Sequence, residues 1–310
     1  MKKVLIITYY WPPGGGSGVQ RWLKMSGYLP EFGWEPHVLT VKNPEYQITD
    51  ASLENEAPGG ITVFREDAFD PNTIYNKWFG KSIGTANIGF TSGKKESALF
   101  KLVKWIRGNL FVPDSRVFWV RRAVKTAVKL HNQHGYAAIV TTGPPHSLHL
   151  AGRLIKKKTG IRWIADFRDP WTDIYYFNDL LPTGFTRRRH MNMERRVLNQ
   201  ADCIVVVGNT MKTMFSSRTD KPIHVIPNGY DHRDFEQCPV SHQYDPTTFN
   251  IGYIGVLSPS QNPEVLWKVL GDLVRTDERF SKALRITLTG AIDHSAVQSI
   301  KSCGLEEHVT

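Results

Sequence analysis

A glycine-rich turn near the amino terminus is the first candidate for chemistry. Residues 12–18 read Pro-Pro-Gly-Gly-Gly-Ser-Gly and lie between a predicted strand, Val4–Thr8, and a predicted helix, Val19–Leu29. Glycines let a backbone approach a phosphate without obstruction from Cβ, and the N–H groups that begin a helix attract anions. We therefore expect Gly15 and Gly16 to face an anionic ligand. A purely structural turn between strand and helix is the alternative.

The turn does not match the dinucleotide fingerprint. Its glycines are spaced Gly14-x-Gly16-x-Gly18 rather than G-x-G-x-x-G. Lys42 also stands in the region where that fingerprint places an acidic residue for the ribose hydroxyls. An NAD(P)-binding Rossmann oxidoreductase is accordingly disfavoured, although the sequence leaves it open.

A second candidate is a group of charges at the end of another predicted strand, Arg162–Asp166. Asp166, Arg168 and Asp169 are crowded there between aromatic residues. An arginine can bind a phosphate through two hydrogen bonds, and an aspartate can orient an acceptor hydroxyl or take its proton. The alternative is an ion pair between Arg168 and an aspartate that only fixes the loop.

His146 is the candidate in a third turn, Thr141–Ser147, which again lies between a predicted strand and a predicted helix. An imidazole with its ordinary pKa of about 6.5 suits acid–base work or contact with a phosphate. A histidine that is merely packed in the loop fits the sequence equally well, and Ser147 fits a simple helix cap.

The elements that position these turns follow an alternation of short apolar runs and longer helical stretches, which is typical of a parallel sheet covered by helices. We predict an α/β fold with two Rossmann-like, doubly wound parallel-sheet lobes. Ligands bind outside the carboxyl ends of the strands in such sheets, so the three turns should border one crevice. The strands predicted for the first lobe are Val4–Thr8, His37–Val41, Ile61–Arg65, Ala138–Thr142, Arg162–Asp166, Ile204–Val207 and His224–Ile226.

We predict that residues 1–235 form the amino-terminal lobe, with a basic insert at 66–115, and that 236–310 hold a linker and the start of a second lobe. Two βα units are fewer than a doubly wound lobe contains, so we expect the second lobe to be incomplete. Its predicted strands and helices are Asn250–Ile254, Pro263–Val274, Leu284–Leu288 and Ser295–Lys301.

The chain has a positive net charge, and most of the excess lies in one part of the sequence. Lys and Arg number 39 against 29 Asp and Glu, a net charge of +10, and residues 94–129 alone hold ten Lys or Arg and two acids. The partner should be anionic: nucleic acid, a phosphorylated metabolite or an acidic membrane surface. Lys101, Lys104 and Arg107 accompany Trp105 in this insert, a combination that suits an anionic membrane. Single-stranded nucleic acid and a solvated helix are the alternatives.

Composition excludes several other classes. With 41% hydrophobic residues the chain can bury a core, so it is not a disordered protein. Its 3 cysteines show no C-x-x-C spacing, which supports neither a disulfide framework nor a zinc site. No Asp-x-Asp metal motif is present. No apolar run approaches the roughly 18 residues of a membrane span.

Several motifs together resemble glycosyltransferase family 4. They occur in the family's order and cover nearly all of the chain to residue 235. The resemblance implies a GT-B fold, in which two Rossmann-like lobes face a cleft and a nucleotide-activated sugar is the donor. The residues that carry it are Tyr10–Gly16 with Arg21, Gly33–Thr40, the Arg-Asp-Pro-Trp sequence at 168–171, Ala201–Val207, and Ile226–Asp231 with Phe235.

The resemblance also implies a reaction and its partners. We expect a sugar to move from a nucleotide-diphosphate-sugar donor to a hydroxyl acceptor, with retention and without a metal. The donor is a co-substrate, and no cofactor is expected. The acceptor is expected to be a lipid-linked or surface-polysaccharide precursor, used in the cytoplasm at the inner face of the plasma membrane, with no nucleic acid involved.

The residue chemistry and the resemblance together give a set of candidate site residues. Asp166, Arg168, Asp169 and His146 are the catalytic candidates, and the donor diphosphate is expected at Gly15, Gly16, Asn228, Gly229, Gly255, Ser258 and Gly290. The chain departs from the family after Gly255, where Val256 and Leu257 stand in place of the usual arginine and no lysine follows shortly after. A non-catalytic, membrane-surface partner subunit with this fold is therefore the second hypothesis.

Overall fold

The computed structural model describes residues 1–42, 44, 46, 49–56, 59–69, 98–236 and 245–310. These residues form two compact units, one from the described parts of Met1–Thr85 and Ala98–Arg233 and the other from Asp234–Thr310. The division of the chain at residue 235 stays a prediction. Lys94 and Lys95 of the basic insert, and residues 237–244 of the expected linker, lie outside the described residues.

The first unit is built on seven strands that pair in parallel. In chain order they are β1 (Lys2–Ile7), β2 (Trp34–Val41), β3 (Thr62–Glu66), β4 (Ala138–Gly143), β5 (Arg162–Phe167), β6 (Cys203–Val206) and β7 (Ile223–Val225). Their spatial order is β3-β2-β1-β4-β5-β6-β7. The direction of winding reverses between β1 and β4, and this is the position where open α/β sheets bind ligands.

The helices of this unit are α1 (Ser17–Tyr28), α2 (Ser52–Asn55), α3 (Ala98–Leu110), α4 (Val117–His134), α5 (Ser147–Thr159), α6 (Gly184–Gln200) and α7 (Asn209–Ser216). Shorter 3-10 turns occur at Leu29–Phe32, Tyr175–Leu180 and His232–Asp234. The predicted helix Val19–Leu29 agrees with α1 to within two residues.

Alternate residues of β1 explain why helices cover both faces of the sheet. Val4 and Ile6 belong to a core cluster that includes Val19 and Leu23 of α1. Leu5 and Ile7 belong to a second cluster on the other face, with residues of α4 and α5. A strand that is buried on both sides needs a continuous apolar sequence, which is the pattern that predicted β1.

The predicted strands of the first unit are all present. The largest difference is at β2, which begins three residues before its predicted start, at Trp34, because parallel pairing with β1 continues from Lys2 opposite Trp34 to Ile7 opposite Leu39. Tertiary pairing, rather than local sequence, sets that boundary. The predicted α/β class with a doubly wound parallel sheet is confirmed.

The second unit contains the parallel strands β8 (Phe249–Ile254) and β9 (Leu284–Thr289). Its helices are α8 (Glu264–Thr276), α9 (Glu278–Ala283) and α10 (His294–Ser302), with 3-10 turns at Pro259–Gln261 and Glu306–His308. Trp267 and Leu270 of α8 pack with Ile286 of β9 and Ile300 of α10 in a small core. All four predicted elements are present here.

Among the described residues, no helix combines the length and the apolar character that crossing a membrane requires.

Gly290 is expected to be indispensable for the second unit. Its φ of 131° is rare for residues with side chains, and a Cβ there would collide with the carbonyl oxygen of Gly255. Gly290→Ala should therefore destabilise the pair β8–β9 by about 2 kcal/mol or more. Hydrogen exchange measured by mass spectrometry should then accelerate about thirtyfold in both strands.

Gly252→Ala is the matched control, because no atom lies within 4 Å of a Cβ at that position. Its exchange rates should stay close to those of the unchanged protein. Equal protection in the Gly290 and Gly252 variants would contradict the steric argument.

Candidate active site

The candidate site is at the carboxyl edge of the large sheet, where the loops after β1, β4 and β5 meet. The register places Ile7 of β1 opposite Thr141 of β4, and Thr142 of β4 opposite Asp166 of β5. The three predicted turns therefore emerge side by side, as the sequence pattern required.

A buried ion pair joins the first and third of these segments. Nε and Nη2 of Arg21, in α1, donate to the two carboxylate oxygens of Asp166 at 3.2 and 2.9 Å. Asp166 is fully buried, and it also accepts from Trp22 Nε1 and the Thr142 hydroxyl, both at 2.8 Å. Three side chains engage the oxygens of this carboxylate, so Asp166 has a structural role. Its position in the sequence instead suggested that it orients an acceptor hydroxyl or takes its proton.

The remaining donors of Arg21 fix the segment that leaves β7. They reach the carbonyl oxygens of Ile226 and Pro227 at 3.0 and 3.2 Å, and Oδ1 of Asn228 at 3.0 Å. All five N–H groups of this guanidinium are thereby used. Asn228, a predicted donor contact, is thus held by its side chain beside α1. Its neighbour Gly229 is exposed, and no atom lies within 4 Å of a Cβ there.

The glycines of the first turn are subject to different steric constraints. A Cβ on Gly14 would lie 2.8 Å from the ring of Tyr46, and one on Gly18 would lie 2.9 Å from Nη1 of Arg168. Gly16 instead has a φ of 88° and open space around it, while Gly15 is partly exposed. Gly16, one of the two residues predicted to face a ligand, is therefore not packed against other side chains in this way.

Two helix N-termini lie at this edge, and they differ in one respect. The N-cap of α1 is Gly16, which supplies no side-chain hydrogen bond, and the first turn holds no acidic residue. At α5, by contrast, both the amide nitrogen and the hydroxyl of Ser147 donate to the buried carboxylate of Asp114, at 2.9 and 2.8 Å. The carboxylate of Asp114 therefore already caps the start of α5. Among the described residues no side chain does so at the start of α1, and its N–H groups can bind an external anion.

Arg168 places a cation between the first and second turns. Its backbone nitrogen donates to Gly143 O at 2.9 Å, its Nη2 donates to Pro144 O, and its Nη1 lies against Gly18. Nε has no hydrogen-bond partner, and within the described residues the guanidinium forms no ion pair. Burial lowers the pKa of Arg168, and the nearby charges of Asp166 and Asp169 oppose that shift.

Asp169 contrasts with Asp166. It is only partly buried, and in the part of the chain that the structure describes its oxygens accept no hydrogen bond. Burial raises the pKa of Asp169, and the positive charge of Arg168 counteracts this. A carboxylate with accessible oxygens and a raised pKa is suited to receiving a proton from a hydroxyl group.

His146 is the N-cap residue of α5 and stacks on Trp171, with ring centroids 4.9 Å apart and planes 4° apart. Burial holds the pKa of His146 well below its ordinary value, and the neighbouring His149 and Arg168 lower it further. The ring is therefore neutral near pH 7. It suits hydrogen bonding to a ligand rather than charge neutralisation.

The predicted site residues of the second unit also come together. Gly255 and Gly290 are adjacent at the ends of β8 and β9, in contact through the Gly255 carbonyl. Ser258 is 2% exposed, and its hydroxyl is 2.9 Å from Oε1 of Gln261 and 3.1 Å from the hydroxyl of Ser260. This serine stabilises its own loop, so its expected contact with a phosphate stays a prediction.

The basic residues predicted to meet an acceptor or a membrane are on α3. Lys101 and Trp105 are exposed, whereas Lys104 and Arg107 are half-buried. Among the described residues, no group of three or more His, Cys, Asp or Glu side chains is arranged to hold a metal ion.

Sequence reasoning missed two residues of this site. Arg21 is part of a family motif in the sequence, but its role in joining separate segments was not inferred. That role could have been predicted, because a cation beside Trp22 on the side of α1 that faces the core needs a buried carboxylate. Asp114 gave no such signal, because its partner Ser147 lies 33 residues away and neither residue type is unusual in a loop.

The fold of this chain is similar to that of several solved structures. Solved structures with similar folds are GT-B glycosyltransferases. A mutant of S. aureus TarM, in complex with fondaparinux, alpha-GlcNAc-glycerol and UDP, is 11% identical with a TM-score of 0.57, over 100% of this chain and 77% of that chain. The lipopolysaccharide outer core galactosyltransferase WaaB is 12% identical with a TM-score of 0.53, over 100% and 67%.

A glycosyltransferase from Rickettsia africae ESF-5 is similar to the same degree, with 12% identity, a TM-score of 0.51 and coverage of 100% of this chain and 67% of that one. Residues 89–234, just under half of the chain, match the model of Glycosyltransferase Family 4. The predicted resemblance to this family is thereby confirmed. No curated protein matches the sequence. Neither the oxidoreductase nor the partner-subunit hypothesis is favoured by these matches.

The buried histidines of the site predict a pH dependence of stability. Burial, together with the charge of Arg168, lowers the pKa of His149 to about 3. The folded state keeps this ring neutral while the unfolded state takes a proton below about pH 6.5, so stability is lost as the pH falls from there towards the folded pKa. His149→Gln should remove about 1.4 kcal/mol of the decrease in unfolding free energy between pH 7.5 and pH 5.5, measured by urea denaturation.

His224→Gln is the control, since this histidine is exposed on β7. It should leave the pH dependence as in the unchanged protein. The same pH dependence in the His149 variant and the unchanged protein would show that His149 binds its proton equally in the folded and unfolded states, which would contradict the lowered pKa.

Proposed function

We propose that this protein transfers a sugar from a nucleotide-diphosphate-sugar donor to a hydroxyl acceptor. The observation that carries the proposal is the position of Arg168. Its guanidinium lies between the glycine turn after β1 and the turn after β4, where the sheet reverses its winding, and no carboxylate pairs with it within the described residues. A mostly buried cation beside an uncapped helix start suits the diphosphate of the donor.

In this proposal the donor diphosphate approaches Gly15 and Gly16 and the first N–H groups of α1. Charge develops on the diphosphate as the bond to the sugar breaks. Arg168 and the fixed backbone dipoles of α1 stabilise that charge, and they need no reorganisation because packing already holds them. Such a mechanism requires no metal. Retention of configuration is proposed on the family resemblance alone.

Asp169 and His146 act on the acceptor side of the same reaction. Asp169 takes the proton of the attacking hydroxyl, which its raised pKa favours. His146 stays neutral because burial lowers its pKa, and it orients a hydroxyl group through a hydrogen bond. Asp166 does not touch substrate in this scheme, since Arg21, Trp22 and Thr142 engage its oxygens.

The acceptor is proposed to be a lipid-linked or surface-polysaccharide precursor at the cytoplasmic face of a membrane. UDP in the TarM complex and the galactosyltransferase name of WaaB support a nucleotide-sugar donor. On α3, exposed Leu102 and Trp105 accompany Lys101, Lys104 and Arg107, a composition that suits peripheral contact with anionic lipid.

Two substitutions separate the proposed roles. Arg168→Gln should weaken the binding of the matching nucleoside diphosphate and lower kcat/KM about 10²–10³-fold, because one fixed partner of the developing charge is lost. Asp169→Asn should lower kcat about 10²–10⁴-fold and leave the affinity for the donor nearly unchanged. Calorimetry and release of nucleoside diphosphate from a panel of nucleotide sugars measure both quantities.

Arg162→Gln is the control, an exposed arginine at the opposite end of the same strand, and it should behave as the unchanged protein. If no nucleotide sugar binds to the full chain, the proposal is wrong and the non-catalytic partner subunit is favoured. If a donor binds but neither variant changes turnover, the roles assigned to Arg168 and Asp169 are wrong, and the proposal of sugar transfer is still supported.

A further inference from the structure

An open groove of about 770 Å³ lies between α4, α5 and α6, and its lining includes none of the residues assigned to sugar transfer. Its lining residues come from the amino-terminal halves of α4 and α5 and from most of α6. Five of them are arginines and none is acidic. The arginines are Arg121, Arg153, Arg188, Arg189 and Arg196.

The charge of these arginines is not compensated within the described chain. Arg153 donates from Nε to Oε1 of Gln200 at 2.7 Å, an uncharged partner. In the part of the chain that the structure describes, none of the five forms an ion pair with a carboxylate. Like charges gathered in one groove repel one another, and an anion with several oxygens relieves that repulsion through charge-assisted hydrogen bonds.

The groove also has apolar parts. Leu150, Leu154 and Met193 line it and are partly exposed, and Phe185 at the start of α6 is 78% exposed. A free phosphate or an acidic polypeptide makes little use of such surface. An amphiphile with a phosphate headgroup uses both the arginines and the apolar side chains.

The carboxyl end of α3 contacts the segment that leads into α6. Asn109 of α3 accepts a hydrogen bond from Thr183 N at 2.8 Å and donates to Leu181 O at 3.0 Å. Gly108 packs against the carbonyl of Leu180. Thr183 precedes Phe185 by two residues, so the carboxyl end of α3 is held beside the start of α6.

We propose that this arginine groove binds the phosphate headgroup of an anionic membrane phospholipid, with Phe185 inserted among the acyl chains beside it. The arginines act as forked donors to the headgroup oxygens. The inference does not depend on sugar transfer, because it concerns a lipid surface and not the donor or the acceptor.

Vesicle sedimentation tests the proposal without any nucleotide sugar. The full chain should bind vesicles of phosphatidylcholine mixed with phosphatidylglycerol and should not bind phosphatidylcholine alone. The double variant R188E/R189E should lose about tenfold or more in partitioning to the mixed vesicles. Phe185→Ala should also weaken binding, but without changing its salt dependence.

The matched control is K157E/K158E, which makes the same change in charge at exposed positions in the last turn of α5. It should lose much less binding than the groove variant. Equal losses in the two double variants would overturn the proposal in favour of diffuse attraction. Binding of poly-glutamate with no binding to either vesicle would overturn it in favour of an acidic protein partner.

Discussion

A single buried guanidinium joins three segments of the first unit that are far apart in the sequence. Arg21 belongs to the helix that follows the glycine turn, Asp166 to the end of β5, and Ile226–Asn228 to the segment after β7. Bringing two charges out of water is costly, and the cost is recovered only when every donor and acceptor has a partner. Arg21 satisfies that condition with five hydrogen bonds, so α1 and its amino terminus are held in one position relative to the sheet.

The geometry of the candidate site follows from this constraint. Because α1 is fixed, Gly18 lies close enough to Arg168 that a Cβ would be 2.9 Å from its guanidinium. The two arginines then have different tasks: Arg21 is saturated by protein partners, whereas Arg168 has no carboxylate partner within the described residues. A similar division separates Asp166 from Asp169. The structural carboxylate of Asp166 is buried and paired, whereas Arg168 and Asp169, the charges available for a ligand, lie two and three residues further along the chain.

Much of the fold could be predicted from the sequence, since β1 and the first half of β4 are apolar runs of the kind that strands buried on both faces require. The turns of the candidate site followed from the same pattern, because carboxyl ends of parallel strands share an edge. The sequence could not show which of two neighbouring charged residues is structural and which is available to a ligand. Asp166 and Asp169 look alike in the sequence, and only the packing of α1 against β5 decides which one is enclosed. The role of Ser258 could not be predicted either, because the sequence does not show that its hydroxyl forms a hydrogen bond within its own loop.

A double-mutant cycle on Arg21→Met and Asp166→Asn measures how strongly this buried ion pair holds α1 against the sheet. The unfolding free energies of the two single variants and the double variant give the coupling between the side chains, which we expect to be about 2–3 kcal/mol. The half-exposed pair Lys156–Asp202 serves as the reference in the same unit and should give less than about 1 kcal/mol. A coupling for Arg21 and Asp166 no larger than that reference would contradict the claim that this pair holds the site together.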